Sequence, residues 1–340
     1  MRTLLNTLYI TNPEAYLSKD GLNVVVTVKE EEKLRIPTVN IEAIVTFAHA
    51  GASPGLMKLC ADSGISLSFL TRQGRFIGRF QGPVHGNVLL RRAQHRLLDD
   101  SERSLHLARL FIAGKIQNYQ RILQRRQRDY DENADVARVV LSLGRLKNAA
   151  LGAISADELR GFEGQAAADY FSVFNELLTK QRDSFSIAGR CRRPPRDPVN
   201  AMLSFAYTLI ANDVASALET VGLDPYIGVF HTLRPGRTSL ALDLMEEMRA
   251  YLGDRFVISL VNRCQVTPRD FASRGEQGII MTDECRKTFI SAWQQRKKEI
   301  ITHPYLQEKI AIGLLPHVQS LLLARYMRGD LDDYPVFLIK

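Results

Sequence analysis

The sequence predicts an α+β protein: a small N-terminal β-strand domain over residues 1–80, then a larger all-helical domain over 88–340. Three observations carry this expectation. Short β-branched and aromatic runs fill the first eighty residues. A Gly/Pro break, Gln81-Gly82-Pro83-Val84-His85-Gly86, then interrupts the pattern, so residues 81–87 read as a linker. Beyond Asn87, apolar residues recur at helical spacing amid many arginines.

The expected strands are Leu4–Ile10, Leu22–Val28, Lys33–Ile36, Ala43–Phe47, Ser66–Leu70 and Phe76–Phe80. Turn signals at Lys19-Asp20-Gly21 and Gln73-Gly74 separate some of them. One helix interrupts, over Pro54–Ser63, with Ser53 as N-cap and Pro54 at the first helical position. In the second domain Val88–Gly114 and Lys115–Arg128 read as helices. Ser155-Ala156-Asp157-Glu158 is a capping box that opens a helix towards Leu178. Asp197-Pro198 repeats the cap-plus-proline signal, and its helix runs towards Thr220, before Gly222. Further helices are expected at Leu240–Leu252, Thr282–Lys298 and Pro304–Arg328.

The 340 residues are enough for a sizeable core, and 45% hydrophobic against 24% charged excludes a disordered chain. A net charge of +8 fits a polyanionic partner. Four scattered cysteines form no C-x-x-C pair, which argues against a zinc ribbon. With no secretory signal at the start, reduced thiols and a cytoplasmic location are expected. No apolar run approaches the ~20 residues of a membrane helix, so no membrane association is expected.

One carboxylate stands in the wrong place. At about a hundred degrees per residue, Leu159, Ala166, Tyr170, Phe174 and Leu177 form one stripe, and Glu163 lies within it. A buried unpaired carboxylate costs several kcal/mol, roughly, so Glu163 needs an arginine, a proton or a metal. Gly161 and Gly164 flank it and leave room beside it. Further on, His231 closes an apolar run, a basic turn follows (Arg234, Pro235, Gly236, Arg237), and a helix sets Asp243 and Glu246 on one face. Each feature alone has a plain alternative: a salt bridge, a structural histidine, a solvated acidic face. Together they make a mixed nitrogen/oxygen site of the kind that suits Mg²⁺ or Mn²⁺. Basic segments accompany it: Arg121, Arg125, Arg126 and Arg128 on one helix, and Arg190, Arg192, Arg193 and Arg196 in a proline-containing stretch before Asp197. Arginines there could hold a nucleic-acid backbone. No helix-turn-helix or zinc-finger pattern indicates sequence-specific readout.

At these residues the chain resembles the CRISPR-associated endonuclease/integrase family Cas1. The motifs are Arg160-Gly161-Phe162-Glu163-Gly164, Ile227-Gly228-Val229-Phe230-His231 and Leu242-Asp243-Leu244-Met245-Glu246. Lys115-Ile116-Gln117-Asn118 is similar to the family's lysine/asparagine helix, and Asp197-Pro198-Val199-Asn200 through Tyr207 to its Asn/Tyr helix. The start near Gly86-Asn87 to Arg91-Arg92 and the ending Tyr326 to Tyr334-Pro335 look most like the subtype I-C branch.

The resemblance implies a metal-dependent DNA integrase/endonuclease of CRISPR adaptation. It implies Glu163, His231 and Glu246 as ligands of Mg²⁺ or Mn²⁺, where many members carry aspartate at the last position. Asp243 is implied beside the metal as a catalytic residue, and Tyr207 beside the DNA. Asn200, Lys115 and Asn118 are weaker DNA-binding candidates, joined by Arg190, Arg192, Arg193, Arg234 and Arg237. The implied partners are double-stranded DNA (spacer fragments and the CRISPR repeat), a second copy of the chain joined through the β domain, and a Cas2 dimer. The I-C branch adds the nuclease Cas4. Two rivals remain: a non-catalytic DNA-binding scaffold with a structural acidic cluster, and a phosphohydrolase of small phosphate esters.

Overall fold

A computed structural model describes residues 7–339 apart from 42, 48, 72–75, 81, 83–87, 192–193 and 276–277. The start of the first expected strand, the Gln73-Gly74 turn, most of the expected linker, and Arg192 and Arg193 lie outside the described residues. The chain forms two units: residues 1–85 with Thr282–Glu299 and Ala311–Leu314, and Gly86–Met281 with Ile300–Ile310 and Leu315–Lys340.

Among the described residues, the first unit holds seven strands in two sheets. β1 (Thr7–Ile10), β5 (Ala43–Thr46), β6 (Ser66–Leu70) and β7 (Phe76–Phe80) lie in the order β1-β5-β6-β7, with β7 antiparallel and the other pairings parallel. β2 (Ala15–Asp20), β3 (Asn23–Val28) and β4 (Glu31–Pro37) form an antiparallel meander. β2 escapes the sequence reading because it is short and interrupted by polar residues. Only Ala15 and Leu17 point inward, and Gly21, at φ +56°, makes the turn into β3. Helix α1 (Pro54–Asp62) links β5 to β6, and the Ser53 hydroxyl accepts the Leu56 N–H as the cap requires. Leu17, Val24, Val26, Ile44, Leu56, Cys60 and Leu67 make up the core.

The rest of the chain is mainly helical: α2 (Val88–Asp99), α3 (Ser101–Asp129), α4 (Ala134–Gly152), α5 (Ala156–Ser172), α6 (Arg182–Phe185), α7 (Pro198–Thr220), α8 (Ser239–Arg249), α9 (Arg255–Asn262), α10 (Asp283–Lys298) and α11 (Leu315–Arg328). It is not all-helical. β8 (Phe271–Ser273) pairs with β9 (Ile279–Met281), and β10 (Ile300–Thr302) with β11 (Lys309–Ala311). α10 is a second correction: it belongs to the strand unit, where the Gln294 amide donates to the Thr7 carbonyl at 2.8 Å.

Several boundaries also differ from expectation. The break before the long arginine-rich helix falls at Asp100, not after Gly114, because the Asp100 carboxylate caps the Glu102 and Arg103 amides. α4 was not anticipated, although Asn133 caps it and Val136, Val139, Val140 and Leu143 follow helical spacing. α5 stops at Ser172, and the Asn175 side chain bonds both the N–H and the C=O of Ile187, turning the chain aside. α11 starts at Leu315 because residues from Pro304 form a hairpin instead, closed by His303 N–H to Glu308 O at 2.8 Å. α7 corrects only the reading that no apolar run approaches membrane-helix length: by length and composition it could cross a bilayer, yet most of its apolar stretch is buried inside the helical unit. α8 packs on both α3 and α7, and α5 packs on α3 and α4. These helices carry the candidate site.

Candidate active site

The His231 segment is built around one carboxylate. Asp243, fully buried on α8, accepts the amides of Val229 (2.7 Å), Phe230 (3.0 Å) and His231 (2.9 Å), and the His231 ring Nδ1 lies 2.6 Å away. Helix α8 can approach so closely because residue 228 is glycine. A Cβ there would sit 2.6 Å from Asp243 Oδ2 and 2.6–2.7 Å from the backbone of Ser239 and Leu240. Gln94 steadies the segment from α2 by donating to the carbonyls of Asp224 and Ile227. Arg160 donates to the Phe230 carbonyl and lies over the Phe230 ring. With Nδ1 engaged, Nε2 is the ring nitrogen left to hold an ion. Both oxygens of Asp243 are taken up by these amides and the His231 ring.

One turn further along α8, Glu246 meets Glu163 of α5 and Lys115 of α3. The Lys115 ammonium pairs with Glu163 and lies 2.8 Å from Glu246 Oε2, while Arg249 binds the other oxygen of Glu246. The Lys115 and Glu246 side chains are 1% and 3% exposed, and Glu163 is 23% exposed. Burial disfavours the Glu246 anion, but the charges of Arg249, Lys115 and His231 outweigh it and hold this carboxyl at about 2. Glu163 thus has the partner its place in the stripe demanded, and that partner is a lysine. Lys115 itself is almost wholly buried where it meets the two carboxylates.

The donor set fits a divalent ion. It offers two carboxylates drawn onto one cation and an imidazole with a free Nε2. Glu246 Oε2 is buried and has no well-aligned hydrogen bond despite the nearby ammonium. Among the described residues, no three His, Cys, Asp or Glu side chains close on one point as they stand. The ammonium of Lys115 lies between the two glutamates.

Tyr207 stands beside this cluster. Its hydroxyl donates to Asp254 at 2.5 Å, and the guanidiniums of Arg190 and Arg249 lie over its ring at 5.3 and 4.8 Å. Asp254 ends a π-helical turn, Ala250–Asp254, inserted between α8 and α9. Gly253 in that turn lets the ring come close, since a Cβ there would lie 2.8 Å from Tyr207 Cε1. Burial raises the Asp254 carboxyl to about 6, against the Tyr207 hydrogen bond and the charges of Arg249, Arg190 and Lys115. Burial, then the Asp254 charge, pushes the Tyr207 phenol well above its usual value. The sequence reading missed Asp254 and Arg249. Arg249 had a visible signal, three residues after Glu246 on the same helix face; Asp254 had none.

The weaker DNA candidates divide. Asn118 is fully buried; it donates to the carbonyls of Glu247 and Phe337 and accepts the Ile339 amide. It fastens the C-terminal tail to α8. Asn200 is also buried and shapes the arginine segment, through Arg190 (2.6 Å), the Cys191 amide (3.0 Å) and the Gly189 carbonyl (2.9 Å). Arg234 is exposed and Arg237 half-buried on the turn after His231, where Arg237 N–H bonds Arg234 O.

Residues 8–295 match the family described as CRISPR associated protein Cas1. A CRISPR-associated endonuclease Cas1 of Chlorobaculum tepidum is 48% identical over 344 residues, covering 99% of each chain. A CRISPR-associated exonuclease Cas4/endonuclease Cas1 fusion of Geobacter sulfurreducens is 35% identical over 340 residues, which is 98% of this chain and 60% of that one. The solved structure of a Cas1 protein from Thermotoga maritima has a TM-score of 0.83 at 25% identity, over 98% of this chain and 100% of the other. With matches that run over nearly its whole length, the chain belongs to the CRISPR associated protein Cas1 family.

Proposed function

We propose that this protein is a divalent-metal-dependent DNA integrase and endonuclease of CRISPR adaptation, which inserts short DNA fragments into the CRISPR array. The observation that carries it is the meeting of Glu163 and Glu246 on one cation, next to a His231 whose ring is oriented by Asp243. The name carried by the Chlorobaculum tepidum relative agrees with this reading. In the reaction, a fragment's 3′-hydroxyl attacks a phosphodiester at the repeat boundary. A new O3′–P bond forms, the old P–O3′ bond breaks, and a free 3′-hydroxyl leaves. With water in place of the fragment, the same site cuts DNA.

Glu163, Glu246 and His231 Nε2 would hold Mg²⁺ or Mn²⁺. Such an ion lowers the pKa of the attacking hydroxyl and stabilises charge developing at phosphorus. Asp243 keeps the His231 proton on Nδ1. Arg190, Arg234 and Arg237 offer guanidiniums to DNA phosphates, and Arg192 and Arg193 extend that basic segment. Tyr207, held by Asp254, faces the DNA at the reacting strand. The proposed assembly is a homodimer through the strand domain, bridged to a second by a Cas2 dimer, in the prokaryotic cytosol. The fusion of Cas4 and Cas1 in the Geobacter sulfurreducens relative supports Cas4 as a further partner; the subtype I-C reading rests on the sequence resemblance alone.

One observation favours a different reading. Lys115, Arg249, Glu163 and Glu246 also form a closed set of ion pairs, as a DNA-binding scaffold with a structural acidic cluster would have. An integration assay separates the two, using a duplex with free 3′-ends, Cas2 and Mn²⁺. Glu163→Ala and His231→Ala should each lower strand transfer by roughly a hundredfold or more, and a chelator should stop it. Strand transfer that survives both substitutions would rule out the catalytic reading.

A further inference from the structure

We propose that Lys115 is the built-in counter-cation of the carboxylate pair, and that a divalent ion enters the site by exchange with its ammonium group. The inference rests on the metal reading above and concerns how that site is filled.

The geometry begins with the position of Lys115. It lies in the middle of α3, on the face turned to α5 and α8, and its side chain is almost wholly buried. Its ammonium meets both glutamates, and the Tyr119 ring lies 5.8 Å from it. A buried ammonium of this kind is tolerable only while paired, and each glutamate likewise depends on it. The charges balance as they stand: Glu163 and Glu246 carry two negative charges, and Lys115 and Arg249 two positive ones. Arg249 binds the other oxygen of Glu246, Oε1, and is further held against the Tyr207 ring. Lys115 instead takes Oε2, the oxygen with no well-aligned hydrogen bond, together with Glu163. It therefore sits where both proposed oxygen ligands must turn to reach one ion.

A divalent ion and an ammonium cannot share that point, because like charges at contact distance repel strongly in a partly desolvated site. Ion binding must therefore break two lysine ion pairs. Glu163, partly open to solvent, marks the side on which the freed ammonium finds water or a DNA phosphate. The lysine thus lowers affinity for a metal ion in the absence of DNA and keeps the carboxylates apart from each other's charge until the ion arrives.

Mn²⁺ binding to the full-length protein, measured by titration calorimetry, tests this directly. Lys115→Met should bind Mn²⁺ tighter than wild type, by on the order of tenfold or more, while Lys115→Arg, which keeps the charge, should not. Without metal, Lys115→Met should melt below wild type, and saturating Mn²⁺ should raise its melting temperature by more than it raises that of wild type. Lys115→Gln replaces it if Lys115→Met does not fold. The wild-type protein gives a separate readout. Mass spectrometry after amine acylation should find Lys115 protected without metal and labelled faster with saturating Mn²⁺. Unchanged or weaker Mn²⁺ binding in the neutral variants overturns the inference, as does unchanged labelling. Glu163→Gln and His231→Ala keep the two readings apart. If they leave Mn²⁺ affinity intact, the metal site itself is misassigned; if they weaken it while the lysine variants gain nothing, only the exchange is wrong.

Discussion

One oxygen of Asp243 fixes both the backbone and the ring of His231: Oδ1 accepts the His231 amide at 2.9 Å and lies 2.6 Å from Nδ1. The second oxygen accepts the two preceding amides, so four donors converge on a carboxylate that solvent does not reach. Such a group acts by holding a tautomer and a ring plane. Asp243→Asn replaces one acceptor oxygen by an NH₂ that faces donors. It should weaken Mn²⁺ binding roughly 10- to 100-fold although every proposed ligand is still present. It should also lower stability by about 1–3 kcal/mol, through amides left without an acceptor. Calorimetric Mn²⁺ titration and urea unfolding check both; unchanged metal affinity would show that the histidine needs no such support.

Glycine substitutions near the site should move stability in opposite directions. At Gly228 an added methyl meets Asp243 and the start of α8 at 2.6–2.7 Å, mostly backbone that cannot turn aside. Gly228→Ala should therefore cost on the order of 2 kcal/mol or more and reduce strand transfer. At Gly161 and Gly164 on α5, an added Cβ meets nothing within 4 Å. Alanine there should raise stability by about 0.5–1 kcal/mol each. If the open space beside Glu163 is where DNA lies, the same two alanines should weaken DNA binding in a filter or anisotropy assay. A gain in stability with no change in DNA affinity would place the duplex elsewhere.

These contrasts show what the amino-acid sequence makes legible. Local signals were readable because their chemistry is local: Ser53 and Asp197 cap the helices they announce, and β6 and β7 fall where their apolar runs lie. Glu163 stood out because a charge in an apolar stripe needs a partner, yet its partner could not be named. Lys115 lies 48 positions away, and only the packing of α3 on α5 joins them. The grouping of α10 with the strands was hidden for a related reason, since an amphipathic helix reads alike whatever covers its apolar face. Asp254 was invisible because the π turn shifts residues off the 3.6 period on which face assignments depend.

Asn118 makes a prediction that separates support from DNA contact. Its amide joins α8 to the C-terminal tail through Glu247 O, Phe337 O and Ile339 N. The tail is further held by the Glu247 carboxylate, which accepts the Tyr334 hydroxyl at 2.6 Å and the Phe337 amide at 3.0 Å. Val336 closes over Gly114, where a Cβ would come within 2.2 Å of it. Asn118→Ala leaves two buried carbonyls and a part-buried amide bare and should cost about 3 kcal/mol in urea unfolding. DNA affinity of the folded protein should stay within about twofold, as for any change remote from the phosphates. Lost DNA binding with unchanged stability would reverse the assignment.

Asp254 sets a pH dependence of known sign. Its folded carboxyl titrates at about 6, above the ordinary 3.8, chiefly because burial disfavours the anion. Between these values the folded chain binds a proton that the unfolded chain has released, so stability falls as pH rises from about 4 to about 6 and is level beyond. The span corresponds to on the order of 3 kcal/mol. Other buried acids contribute their own slopes. Glu247, raised to about 7 by burial, pulls the same way over a higher window, and Glu246, held at about 2, pulls oppositely in acid. The informative quantity is therefore the difference between wild type and Asp254→Asn, measured by urea unfolding at several pH values. Relative to the asparagine variant, wild type should lose stability from pH 4 to pH 6, while the Tyr207 hydroxyl still finds an acceptor in the amide oxygen. A difference that stays flat over that window would mean that Asp254 is ionised throughout. Its Oδ2, which has no well-aligned hydrogen bond, would then be held by the buried Tyr170 hydroxyl beside it.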